Sequence, residues 1–121
     1  WLGKQSNQAQ PAMIYVADHG ESLGENNIYL HGLPYSIAPD VQKHVPWITW
    51  LSPAMQSRMG TATPCLQKEL AQQRITHDNY FHSVLGLMDV KTGAYQPELD
   101  IFSACRKTVA AKQAAPAPAK S

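Results

Sequence analysis

The chain has 121 residues, enough for one domain and no more. Apolar residues make up 44% of it and charged residues 16%, which supports a packed core over a disordered chain. Net charge is +1, too weak a field to gather nucleic acid, and the longest apolar runs fall far short of the roughly 20 residues of a membrane span.

Position 1 is Trp, not an initiator Met, and no basic segment precedes an apolar one, so no signal peptide is read. A fragment is expected, or a processed N-terminus. Residues 1–10 mix helix formers with Gly3 and Asn7 and read as the end of a surface helix followed by a loop, which Pro11 blocks from continuing. Residues 12–17, Ala-Met-Ile-Tyr-Val-Ala, are almost wholly apolar without alternation. Such a run predicts a strand buried on both faces, as in a parallel sheet. A polar, Gly-containing loop follows from Asp18, and Asn26-Asn27 and Gly32-Leu33-Pro34 mark turns. Residues 45–51 predict a second strand, ended by Ser52-Pro53, with Trp47 and Trp50 on opposite faces as core residues.

Residues 65–74 predict a helix entered through Thr63-Pro64, with Leu66 and Leu70 sharing a face. Residues 76–90 predict another, capped by Thr76 or Asp78, with Phe81, Val84, Leu85 and Met88 at the spacing of a buried stripe. Residues 100–106 form a short amphipathic piece of open type. From residue 108 the chain is Ala, Pro, Lys and Ser with little to bury, so 1–107 reads as domain and 108–121 as a disordered tail. The fold class is α/β. Two strands cannot make a self-sufficient sheet of this kind, because unpaired edges are costly, so the fold is expected to be incomplete on its own.

The strand end Asp18-His19-Gly20 is the informative feature. Ligands in open α/β sheets bind beyond the carboxyl ends of strands, and a carboxylate beside an imidazole suits Zn²⁺. Gly20 is expected to support the turn through its conformational freedom. Two ligands do not close a zinc site, and an Asp-His pair is also often only a hydrogen-bonded turn. His31, in a Gly/Pro loop twelve residues on, offers a second-site ligand or a donor to phosphate, or else a surface imidazole. Glu21 and Glu25 are read as groups orienting His19 or as helix-start acids. His44, His77 and His82 read as surface or capping residues. Cys65 and Cys105 lack metal-knuckle spacing. They are either two buried thiols or a disulfide closing about 40 residues, worth roughly 3–4 kcal/mol.

The stretch Ile14-Tyr-Val-Ala-Asp-His-Gly-Glu-Ser-Leu-Gly-Glu-Asn-Asn-Ile-Tyr-Leu-His-Gly-Leu-Pro-Tyr-Ser-Ile-Ala-Pro-Asp40, with His44-Val-Pro-Trp47 and His77-Asp-Asn-Tyr-Phe-His-Ser-Val-Leu-Gly-Leu-Met-Asp-Val90, resembles the C-terminal portion of bacterial lipid A phosphoethanolamine transferases, the polymyxin- and colistin-resistance type. The resemblance runs in order from about residue 1 to 106. It implies the C-terminal part of an alkaline-phosphatase-like sheet with flanking helices, in a catalytic domain held at the bacterial inner membrane and facing the periplasm. It implies Zn²⁺ bound by Asp18 and His19, with His31 at a second metal or at the substrate phosphate. Phosphatidylethanolamine is the implied donor and lipid A the acceptor, through a Thr nucleophile that the resemblance places upstream together with a Glu ligand. The N-terminal part of the catalytic domain and a membrane domain are then missing partners, and no catalytic residue is assigned in this chain, which alone is expected to be inactive. A periplasmic location permits the Cys65–Cys105 disulfide. A sulfatase-like or phosphodiesterase hydrolase and a non-catalytic periplasmic module are the alternatives.

Overall fold

A computed structural model describes residues 1–106, and the tail expected over 108–121 lies outside them. The chain divides into two units, Trp1–Ser52 and Pro53–Ser121. Among the described residues no helix is long and apolar enough to cross a membrane.

The first unit opens on a 3-10 helix, Leu2–Asn7, ahead of the Pro11 break. Strand β1 (Ala12–Val16) follows, then the short strands β2 (Ser22–Leu23) and β3 (Tyr29–Leu30), helix α1 (Asp40–Lys43) and strand β4 (Trp47–Leu51). β1 pairs antiparallel with β4, in the register that sets Met13 opposite Trp50 and Tyr15 opposite Ile48. The doubly buried parallel strand expected from residues 12–17 is therefore not what forms. Side chains alternate across a pleated strand, and with one neighbour on one edge the two faces differ. Tyr15 and Ile48 are about half exposed, whereas Ala12, Ile14 and Val16 on the other face are partly covered. Trp47 and Trp50 do point to opposite faces, and the Trp47 indole N–H donates to Thr49 Oγ1 at 3.0 Å on its own face.

β2 and β3 form a second antiparallel ribbon, with Ser22 opposite Leu30 and Leu23 opposite Tyr29. Its turn is left-handed at Gly24, Asn26 and Asn27, with φ of 124°, 55° and 60°. Gly and Asn tolerate this region, which explains the Gly-Glu-Asn-Asn spelling. Glu25 stabilises the turn by accepting the Leu23 N–H at 2.8 Å. Backbone N–H bonds from Glu25 itself and from Leu23 hold its carboxyl below the usual range. Glu25 is thus a turn residue, bonded to the ribbon that it closes.

The second unit holds α2 (Pro53–Met59), α3 (Thr63–Gln72) and α4 (Asp78–Leu87), followed by 3-10 turns at Pro97–Leu99 and Ser103–Cys105. α2 was not expected: Ser52-Pro53 ends the strand and also starts a helix, since Pro fits the first turn. Cys65 of α3 and Cys105 form a disulfide with Cα atoms 5.8 Å apart, an ordinary separation for a bridge. The 100–106 segment opens on three buried residues, with Asp100 and Ile101 at 3% and Phe102 at 0% exposure.

α4 reverses the expected stripe. Its buried residues are His82, Ser83, Gly86 and Leu87, whereas Phe81 and Met88 are 53% and 61% exposed. Satisfied polar groups explain the reversal. Ser83 Oγ–H donates to the Asn79 carbonyl at 2.6 Å and accepts the Ile101 N–H at 3.1 Å. His82 Nδ1 accepts the Gln96 N–H at 3.1 Å. Any side chain at Gly86 would collide with Asp100 and Arg106. The start of α4 is held by Asn79, whose Oδ1 accepts the Thr76 N–H at 2.8 Å, and not by a Thr76 or Asp78 side-chain cap.

Candidate metal centre

The polar residues that end β1 form the floor of the site, and the β2–β3 ribbon brings a distant histidine to them. Ala17 still bonds to Pro46 O across the sheet, and pairing stops at Asp18. Asp18 Oδ1 accepts the N–H of the next residue, His19, at 3.1 Å. Gly20 is required here for closeness, not for an unusual φ. Its N–H donates to Gln42 O at 3.0 Å, and a Cβ at this position would collide with the Val41 carbonyl.

The tautomers follow from the bonds. His19 Nδ1 lies 2.9 Å from Gly20 O. A carbonyl only accepts, so Nδ1 carries the proton and Nε2 keeps its lone pair. That Nε2 lies 3.8 Å from Asp18 Oδ2. His31 Nδ1 donates to Glu21 Oε2 at 3.0 Å, which leaves its Nε2 free to ligate in the same way. The two rings stack with centroids 3.7 Å apart. His19, Glu21 and His31 each place a ligand atom within 4.8 Å of the others. Backbone hydrogen bonds from Asp18 and His19 hold the Asp18 carboxyl below its usual range, so it is ionised at neutral pH.

Asp18, His19 and His31 are therefore neighbours, as the sequence pattern suggested, but Glu21 contacts His31, ten residues away, and not His19. The donor set fits Zn²⁺ on its chemistry. Ligands around an ion with bonds of ~2.0–2.1 Å sit roughly 3.3 Å apart, so the 3.8 Å between His19 Nε2 and Asp18 Oδ2 needs only a small adjustment. Each imidazole also donates its other N–H to a carbonyl or carboxylate, the arrangement that fixes the orientation of metal-binding histidines. His44 serves as the end of α1 and His82 as a buried acceptor in the second unit. Sequence gives no sign of Gln42, which is buried and bonds to the ribbon carrying Glu21 and His31.

Phosphoethanolamine transferase EptA of Salmonella typhimurium is 52% identical over 106 residues, 88% of this chain and 19% of that protein. Phosphatidylethanolamine transferase Mcr-1 of Escherichia coli is 40% identical over 90 residues, 74% of this chain and 15% of that protein. The structure of the integral membrane protein lipooligosaccharide phosphoethanolamine transferase A from Neisseria meningitidis aligns with a TM-score of 0.77 at 46% identity, over 81% of this chain and 18% of that one. The chain thus spans less than a fifth of the length of each. Residues 1–90, from the first 3-10 helix through the Asp18-His19 strand end to the close of α4, match the sulfatase family, and the chain belongs to it.

Proposed function

We propose that this chain supplies part of the metal centre of a lipid A phosphoethanolamine transferase, with phosphatidylethanolamine as donor, acting at the periplasmic side of a bacterial inner membrane. The observation that carries the reading is His19 beside both Asp18 and His31 past the end of β1, in a chain 52% identical to phosphoethanolamine transferase EptA of Salmonella typhimurium. Asp18, His19 and His31 would hold Zn²⁺, which when bound draws charge from phosphoryl oxygens and lowers the pKa of a hydroxyl. Asp18 contributes the anionic oxygen. His19, tied to Gly20 O, presents Nε2 toward it. Glu21 fixes the His31 ring, so that Nε2 meets a metal through its lone pair, or a phosphoryl oxygen through Nε2–H in the protonated ring. Positioning and charge stabilisation are most of what in-line phosphoryl transfer needs. No residue of this chain is assigned as nucleophile, a role the reading gives to a Thr elsewhere in the enzyme.

The test is transfer of labelled phosphoethanolamine from phosphatidylethanolamine to lipid A by an intact enzyme carrying this chain. The Asp18→Ala, His19→Ala double variant is expected to abolish transfer, and full transfer by that variant would overturn the reading. Release of the label into water at the same rate without lipid A would favour a hydrolase.

A further inference from the structure

Gln42 touches the residue beside each imidazole of the cluster and beside Glu21. Its backbone carbonyl accepts the N–H of Gly20, which lies between His19 and Glu21. Its side-chain amide donates to Ser22 Oγ at 2.8 Å, one residue past Glu21. The same amide donates to Leu30 O at 3.1 Å, one residue before His31. Gln42 and Ser22 are 8% and 2% exposed, so these bonds are made out of water, where losing a partner is costly.

Leu30 sharpens the point. It sits in the left-handed region at φ 65°, although it is bulky and 69% exposed, and no side-chain burial compensates for it. Non-Gly residues persist there only when the surroundings impose the conformation. β3 is two residues long, too short to impose it through pairing alone. The bond from Gln42 to the Leu30 carbonyl is the constraint on the peptide that leads into His31.

We propose that Gln42 is a positioning residue, whose amide clamps Ser22 to Leu30 and thereby sets the Glu21–His31 pair against His19. The inference rests on the proposed function for its consequence, metal affinity, but the geometry it claims exists without metal. Where a partner that orients metal ligands is lost, affinity typically falls 10–100-fold.

The experiment uses an intact enzyme carrying this chain and two readouts. The first, metal-free, is the ring-to-ring nuclear Overhauser contact between His19 and His31, with the amide signals of the β1–β4 ribbon reporting the fold. The second is Co²⁺ affinity and its visible spectrum. Gln42→Met keeps size and the backbone bond to Gly20 but removes both donors. It is expected to lose the ring contact and to weaken Co²⁺ at least tenfold while Tyr15 and Ile48 keep their pairing. Ser22→Ala, which removes one of the two bonds with little risk to folding, is expected to fall between. Lys43→Met, the next residue on α1, is expected to change neither readout. An unchanged ring contact in Gln42→Met and Ser22→Ala would overturn the proposal, as would its absence from the unsubstituted chain. If the unsubstituted enzyme shows the ring contact but binds no Co²⁺, the metal reading fails, and the effect of Gln42→Met on the contact still decides the positioning role.

Discussion

Replacing Asp100 by Ala strips a buried carboxylate of three partners at once. Its side chain is 0% exposed. Oδ2 accepts the Tyr95 hydroxyl at 2.7 Å and Oδ1 accepts the Phe102 N–H at 2.9 Å. Arg106 Nη2 lies 2.9 Å from Oδ2 as an ion pair. Breaking one side of a buried pair costs about 3–5 kcal/mol. Arg106 is 26% exposed and regains some hydration, so the expected loss sits near ~3 kcal/mol. Asp100→Asn keeps the shape and an acceptor for Phe102 and is expected to cost roughly 1.5–3 kcal/mol, the worth of a charged hydrogen bond. Tyr95→Phe, which leaves the carboxylate its other partners, is expected to cost about 0.5–1.5 kcal/mol. Urea unfolding followed by far-UV circular dichroism gives the ranking. Amide exchange at Ile101 and Phe102 localises the effect. If Asp100→Ala costs no more than Tyr95→Phe, the network is not what holds the 100–106 segment, and the explanation of the inverted α4 face fails with it.

Three further outcomes follow from the same structure. Burial and the Asp100 carboxylate push the Tyr95 phenol up to about 12. Above pH 10 the unfolded chain releases a proton that the native chain keeps, so stability is present below pH 10 and falls between 10 and 12; Tyr95→Phe is expected to lose that slope in unfolding curves taken from pH 9 to 11. Reducing the Cys65–Cys105 bridge, or replacing both residues by Ser, is expected to lower stability by about 4 kcal/mol for a closure across 40 residues, and an unchanged urea midpoint with dithiothreitol would contradict it. Leu30→Gly removes an exposed side chain from a left-handed φ whose cost is roughly 1–2 kcal/mol, against roughly 0.5–1 for the added freedom of Gly. The unfolding midpoint is therefore expected to hold or rise, and a marked fall would show that the side chain, not the backbone, matters there.

What could be read from the residues was what each segment says about itself. An apolar β-rich run broken by Asp-His-Gly marks a strand end, Thr63-Pro64 marks a helix start, and His31 stands out as an imidazole in a loop with no competing pattern. The partner of a strand is a different matter. Nothing in residues 12–16 names residues 47–51, and the antiparallel register with one exposed face comes from that pairing. The α4 face failed for a related reason. Periodicity counts apolar side chains, but Ser83, His82 and Gly86 are buried because Ile101, Gln96 and Asp100 satisfy or demand them from across the fold. For Glu21, sequence proximity offers His19 as the imidazole to orient, while the ribbon turned at Asn26 and Asn27 delivers His31 to it. Gln42 had no signal at all, since its role lies in three bonds to residues 12–22 positions away.

The most direct measurement is Zn²⁺ binding by calorimetry to an intact enzyme carrying this chain, compared with its Asp18→Ala, His19→Ala variant, each fully folded by circular dichroism. The account expects stoichiometric zinc in the parent, weakening as pH falls and protons compete for the imidazoles, and loss of that zinc in the variant. Undiminished zinc affinity in the variant would contradict it.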